Sequence, residues 1–550
     1  MTVHPASPRP GAGKPRSEER SDEGGARQLP GATSERKQHS TGIRWRLTTI
    51  GLVALTLLAA GCSGSTAATT GEKVLRLGMP APAVSLDPAK AVTDALWVTE
   101  LAYDPLIFRA SDGSLQPRLA ESWSYIGDNN TLFELKLRAG VKFSDGTPLN
   151  ADVVKRNFEH YADASSAASK IKMFSQLEVV DDLTLRIHLS EPHPAMPELF
   201  TQAKFVGDLA SGEALAKPDL MTTQTYGAGP YVLDPKATVP KDTYTFVRNT
   251  HYWKPEAAYY DKVVVKVIAN ANTALAALKT GQIDAIQGDF TTADAAKQAG
   301  LQVASTPRQW FGVIVGDADG KLVPELKDVR VRQALNYAVN REKIAKGLLG
   351  DNGVPTEQIV MPGQSGYNTT SFYTYDPAKA KDLLREAGHP NGFTLPVTTN
   401  TKRGLSLVVQ AMVDDWKAIG ITVDLKTEAN DGTYSEAQTA AKLPVFGVSF
   451  GSDGEIHNLG TTLFQNSKTF NPFGISDPTV DKLRADAAAI PTVEGREALY
   501  KQLIRRLVET GRYVPVVAVP IYYYANDSIK GLAVSPSAQQ ADPVDFMPAK

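Results

Sequence analysis

KVVVKVIANANTALAALKTGQIDAIQG, Lys262 to Gly288, reads as strand, helix and strand in 27 residues. Val263–Ile268 is a β-branched run, as a strand demands. Thr273–Leu278 holds good helix formers and stops near Gly281. Ile283–Ile286 is short, apolar and strand-like again. A second stretch repeats the plan: FTLPVTTNTKRGLSLVVQAMVDDWKAIGITVDLKTEA, Phe393 to Ala429. Leu395–Thr399 predicts a strand, Leu405–Ile419 a helix and Ile421–Lys426 a strand. Leu405, Val408, Val409, Met412, Val413 and Trp416 fall at helical spacing on one face, which reads as core packing. Two parallel β-α-β units, starting about 130 residues apart, predict two separate α/β lobes.

Punctuation elsewhere supports that class. In YDPAKAKDLLREAG, Asp376 caps a helix, Pro377 takes its first position and Gly388 closes it. Asn340 can cap a helix ending near Gly350. Between Leu115 and Val154 the pattern changes. Leu132, Glu134, Lys136 and Arg138 alternate with Phe133, Leu135 and Leu137 as a strand, flanked by turns at GDNN and SDGT.

At 550 residues the chain exceeds the roughly 250–300 at which one core stops growing. Its 42% apolar content is ordinary for a globular protein. A net charge of −2 points to neither nucleic acid nor an anionic membrane. The single cysteine, Cys62, excludes an internal disulfide and multi-cysteine metal sites. It follows Leu47–Ala60, fourteen residues without charge, preceded by Lys37, Arg44 and Arg46. That run is too short to span a bilayer and suits the apolar region of a secretory signal. It resembles a bacterial lipoprotein signal, which implies acylation at Cys62. Ala59 stands where leucine is usual, with Leu58 one place back, and an ordinary cleaved signal is the alternative. Residues 1–61 then form leader and signal, and 62–72 a flexible tether. Residues 1–42 are too rich in Pro, Gly, Ser and charge to form a core, and read as a cytoplasmic leader or a misplaced start. Removal of 1–61 takes away 9 basic and 5 acidic residues and leaves 49 and 55, a net charge of −6.

Signals for chemistry are sparse. Gly447–Gly451 (GVSFG) matches GxSxG, but SDGEIHN after it is a poor helix start, and His457 eight residues past Ser449 makes no triad by itself. A serine hydrolase using Ser449 is thus a remote alternative. The eight histidines are scattered, without HExxH. GAGP at Gly227–Pro230 lacks the spacing of a phosphate loop.

Ten fragments in order carry a resemblance over nearly the whole mature chain: SLDPAKA (85–91), YDPLI (103–107), LAESW (119–123), GVKFSDGTPLNADVV (140–154), GAGPYVL (227–233), NTHYW (249–253), ALKTGQIDA (277–285), DVRVRQALNYAVNREKI (328–344), YDPAKAKDLLREAG (375–388) and VPVVAVPIYYY (514–524). The chain resembles the family 5 extracellular solute-binding proteins, the dipeptide, oligopeptide and nickel receptors of ABC importers. The resemblance implies an α/β, bilobal clamp of the type II periplasmic-binding-protein kind. Lobe one would be 73–308 plus 515–550, with a subdomain at about 113–226. Lobe two would be 309–514, with the hinge near Thr306–Val313 and Arg512–Val516. It implies no enzyme activity, no cofactor, no metal and no nucleic acid. The expected protein is a monomer, lipid-anchored on the extracytoplasmic face of the cell membrane, delivering solute to ABC permease subunits. Short peptides are the expected solute; a nickel chelate, haem or oligosaccharide is the alternative, and a purely structural or adhesive lipoprotein a remoter one. Counting back from Leu463–Phe464 puts Ser452 where the family's amine-binding aspartate stands, with Asp453 one place off and Glu455 at a second acidic place. Thr93 and Trp97 fall in a pocket-lining segment, and Tyr524 matches a pocket tyrosine. Trp97 and Tyr524 also read as core aromatics.

Overall fold

Lys262–Gly288 folds as strand, helix and strand, but with a neighbour inserted between its strands. The computed structural model describes residues 71–91, 96–164, 168–401, 404–451, 456–459, 467–535 and 540–549. The chain divides into two units, Met1–Thr69 and Thr70–Lys550, and every described residue lies in the second. Cys62, Thr93, Ser452, Asp453 and Glu455 lie outside the described residues.

In chain order the principal strands are β1 (Val74–Met79), β2 (Ala120–Tyr125), β3 (Leu132–Leu137), β4 (Phe174–Asp181), β5 (Thr184–Leu189), β6 (Tyr231–Leu233), β7 (Thr243–Arg248), β8 (Lys262–Val267), β9 (Ala285–Gly288), β10 (Gln302–Val315), β11 (Thr394–Asn400), β12 (Thr422–Glu428), β13 (Val445–Gly451) and β14 (Tyr513–Ala525). The helices used below are α1 (Leu96–Ala102), α2 (Ala271–Lys279), α3 (Arg341–Leu349), α4 (Pro377–Glu386), α5 (Leu405–Ala418) and α6 (Pro478–Ala488).

One eleven-stranded sheet runs β12-β11-β13-β10-β14-β9-β1-β8-β7-β6, with Val354–Pro355 pairing β14 off that path. In the Lys262–Gly288 stretch, β8 and β9 both pair in parallel with β1, which lies between them. Helix α2 makes the crossover; Asn270 caps it by accepting from the Thr273 N–H at 3.0 Å. In the Phe393–Ala429 stretch, β11 and β12 pair directly and in parallel. The buried face of α5 is Leu405, Val408, Val409, Met412, Val413 and Trp416, the six residues that periodicity selects. The Trp416 indole N–H donates to the Leu335 carbonyl at 2.9 Å. Asp376 caps α4 through the Lys379 N–H at 2.8 Å, and Asn340 caps α3 through the Lys343 N–H at 3.0 Å.

The alternating stretch at Leu132 is β3, central in a separate antiparallel sheet ordered β2-β3-β5-β4. Phe133, Leu135 and Leu137 point into that subdomain's own core.

Two long strands carry the chain between lobes. β10 and β14 pair along nearly their whole length. At one end β14 also pairs β9 of the first lobe; at the other β10 also pairs β13 of the second. Val516, Val517 and Val519 pack in the second lobe's core with α5, whereas Tyr523 and Ala525 pack in the first lobe's. Packing along β14 therefore passes from one core to the other near Pro520. There Pro307 faces Pro520, and neither can donate to the ladder. The register slips immediately afterwards, so that Gln309 pairs with Val519 and Arg308 is the extra residue of a bulge.

Candidate functional site

The residues beside this crossing come from both lobes. Gly451, the last residue of β13, pairs with Gln309. A side chain at Gly451 would stand 3.7 Å from the Arg308 carbonyl oxygen. Residues 452–455 follow directly in the chain. On the first lobe, Trp97 of α1 packs 5.8 Å from Tyr523 of β14 and edge-on to Phe546 at 6.0 Å. Its indole N–H donates to the Ala541 carbonyl at 2.8 Å. Trp97 is only 5% exposed, so its ring is engaged in the first lobe's core.

Tyr524 is likewise withdrawn. Strand alternation sends it to the opposite face from Tyr523, against α2. Its hydroxyl donates to the Asp289 carbonyl at 2.6 Å and lies 3.3 Å from the Thr292 hydroxyl. Its ring covers Gly288, where a Cβ would fall 2.1 Å from Cε2. Neither aromatic offers a solute an open face in this conformation; both stiffen the strands behind the crossing.

Sequence reasoning passed over three features. Arg308 is half-buried at the bulge, and among the described residues it makes no hydrogen bond or ion pair. In the first lobe, Glu100 and Asp208 are buried with no partner on any carboxylate oxygen. Burial, then the charges of Asp542, Asp208 and Asp545, push the Glu100 carboxyl well up. Burial and Asp545 push Asp542 up to about 8. The third is a seam between subdomain and second lobe. The Asn130 amide donates to the carbonyls of Ala488 at 2.9 Å and Ile490 at 3.2 Å. His193 and His457 meet edge to face, 4.6 Å between ring centres. Asn130 has φ +54° in the GDNN turn, a left-handed position that asparagine tolerates. That turn was legible in sequence; its docking partner 358 residues away was not.

The hydrolase alternative fails on geometry. Ser449 sits inside β13, paired with Phe311, and the strand runs on through Gly451. No sharp turn lifts its hydroxyl, as a nucleophile elbow requires. His457 is buried against His193. A cavity of about 400 Å³ in the second lobe is lined by Arg341, Glu357 and Tyr373 among others. Two of its charges are already satisfied: Glu357 accepts from the Phe372 and Tyr373 N–H groups, and Arg341 donates to Asn336 and the Pro515 carbonyl. No helix among the described residues is long and apolar enough to cross a membrane, and among them no group of His, Cys, Asp and Glu could hold a metal.

Two α/β lobes, joined by paired strands whose ladder is interrupted at facing prolines, define a solute-binding clamp. Residues 114–471 match the model for the bacterial extracellular solute-binding proteins, family 5 middle region. The chain is 27% identical over 487 residues to heme-binding protein A of Haemophilus influenzae, covering 80% of this chain and 86% of that one. It is 26% identical over 507 residues to the glutathione-binding protein GsiB of Escherichia coli K12, covering 88% and 96%. The periplasmic binding protein DppA of Helicobacter pylori, solved with the peptide STSA, superposes with a TM-score of 0.72 at 22% identity, covering 87% of this chain and 99% of that one. The chain belongs to the family 5 bacterial extracellular solute-binding proteins. It is a non-enzymatic receptor that captures solute outside the cytoplasm for an ABC importer.

Proposed function

We propose that the captured solute is a short peptide. What carries this reading is the relation to the glutathione-binding proteins, which spans 96% of their length, glutathione being itself a tripeptide. Main-chain hydrogen bonding from strand edges is blind to side chains and suits mixed peptide cargo. Asp453, next in sequence to Ser452 and two residues before Glu455, is the expected partner of the peptide amine; Thr93 of the first lobe is a further expected contact, and Trp97 and Tyr524 support from behind. Closure bends β10 and β14 at Pro307 and Pro520, where the ladder is weakest. The solute favours closure only through contacts it gains with both lobes at once. Cys62 carries the acyl chains, two or more being needed for stable anchoring, and 62–72 tethers a monomer beside its permease.

Native mass spectrometry of the protein purified from cells tests the solute. A family of co-purified masses that fragment as short peptides supports the proposal. One discrete non-peptide mass, such as haem or a metal chelate, overturns it, and the relation to heme-binding protein A makes haem the first to look for.

A further inference from the structure

We infer that the second lobe carries a site for a small oxyanion, inorganic phosphate being the simplest, between the guanidinium groups of Arg332 and Arg512. The site lies apart from the solute clamp and does not depend on what the clamp captures.

Three observations converge. First, Arg332, on the helix Val329–Tyr337, and Arg512, just before β14, line one cavity of about 310 Å³. They are 9% and 7% exposed. Second, the two charges act on each other without a counter-ion. Burial, then the Arg512 charge, lowers Arg332 only to about 10, so it remains a cation at neutral pH. Among the described residues neither guanidinium is within ion-pair distance of a carboxylate. Of the acids lining the cavity, Asp477 is held by Arg506 at 2.8 Å and Asp319 by Lys321 at 3.4 Å, while Glu509 is exposed and Asp481 half-buried. Third, a donor is left over. Arg332 is fixed by the carbonyls of Thr510, Leu326 and Lys327 at 2.8, 2.7 and 3.0 Å. Arg512 donates from Nη2 to the Asn471 side-chain oxygen at 2.9 Å, but its buried Nε has no partner.

Buried charges are normally paired, and an orphaned buried donor calls for a water or an ion. A water would satisfy the Nε–H and leave both charges uncompensated. An oxyanion does both, because a guanidinium presents parallel N–H groups that match two of its oxygens. The N-terminus of α6, which also borders the cavity, is not the recognising group: Asp477 already accepts from its Thr479 and Val480 N–H groups at 2.9 and 3.4 Å. The bound ion would brace the foot of the two crossing strands, where the Arg512 carbonyl accepts from the Val315 N–H of β10 at 2.7 Å. Pro520 lies eight residues further along the chain, roughly 25 Å away at about 3.3 Å per residue. The anion thus stabilises the fold of the lobe and not its closure.

The probe is sodium phosphate, compared with sodium chloride at equal ionic strength. Melting temperature is read for wild type, Arg512→Gln and Arg512→Lys, with circular dichroism checking that each is folded. Phosphate also stabilises proteins by exclusion from their surface, and that part is common to all three. In about 20 mM phosphate, wild type is expected to gain at least about 2 °C more than Arg512→Gln, with Arg512→Lys in between. Equal gains in all three, or none, overturn the inference. Hydrogen exchange of wild type locates the ion, and decides the matter should the glutamine variant not fold. Phosphate is expected to slow exchange at Gly316–Gly320 and Thr510–Tyr513. Slowing only beside Pro307 and Pro520 would make phosphate a ligand of the clamp, and slowing nowhere would leave the two arginines without an ion; either result overturns the site.

Discussion

At the scale of single residues, the first lobe carries an internal conflict among buried carboxyls. Glu100 and Asp208 are buried without partners, and Asp542 lies close enough to act on both. A carboxyl whose pKa rises on folding remains protonated in the fold when the unfolded chain would ionise. Its favourable state is therefore complete below the ordinary value of 4.5 and is lost as pH rises toward the folded value. Glutamine keeps the shape and cannot ionise. Glu100→Gln should accordingly raise the melting temperature by roughly 2–4 °C at pH 8, with the gain shrinking toward pH 5. Calorimetry at the two pH values checks this. An equal gain at both would mean that packing, not charge, sets the difference. Nothing in the sequence announces this cluster, because Glu100, Asp208 and Asp542 are brought together only by the tertiary fold.

At the scale of elements, periodicity and caps did most of what sequence can do. Helix α5 is the clear case: its apolar stripe is complete and its Trp416 fully buried. Trp416→Ala should cost about 3–5 kcal/mol by the loss of a large buried ring. Asp376→Ala, which removes only the cap of α4, should cost about 1 kcal/mol. Denaturant titration of both variants tests that ranking, and a cap loss as costly as the core loss would contradict it. Such features are legible because they depend on neighbours within one turn of chain. Strand order is not. The first unit reads as two adjacent strands, yet β1, nearly 200 residues upstream, lies between them. Aromatic placement was ambiguous for a related reason. Three tyrosines in a row on β14 alternate faces, and sequence gives the alternation without saying which face is open. The valine run before Pro520 on β14 reads the same whichever lobe buries it.

At the scale of the molecule, a seam joins the subdomain to the second lobe, and closure that brings those two together would carry a cost in acid. His193 is 2% exposed and His457 1%. His193 faces His457 and Arg484; His457 faces His193, Arg484 and Arg496. Around them the Asn130 carbonyl oxygen accepts from the His193 N–H at 3.0 Å, and the Tyr125 hydroxyl donates to the His193 carbonyl. Among the described residues the charges acting on either ring are positive. Burial, then the Arg484 charge, lowers His193 to about 4, and burial with His193 and both arginines lowers His457 further below its ordinary range. A histidine whose pKa falls on closure must shed its proton before the lobes meet. Closure is therefore unhindered above about pH 6.5 and grows harder as pH drops below it. One such histidine, moving from about 6.5 to 4, weakens solute binding about tenfold between pH 7.5 and 5.5. Titration calorimetry with the solute found by native mass spectrometry, run at both pH values, measures the slope. His193→Phe with His457→Phe keeps two rings edge to face but cannot titrate, and should flatten it. Should the double variant keep the wild-type slope, the dependence belongs to the solute or its pocket, and the seam closes without regard to protons.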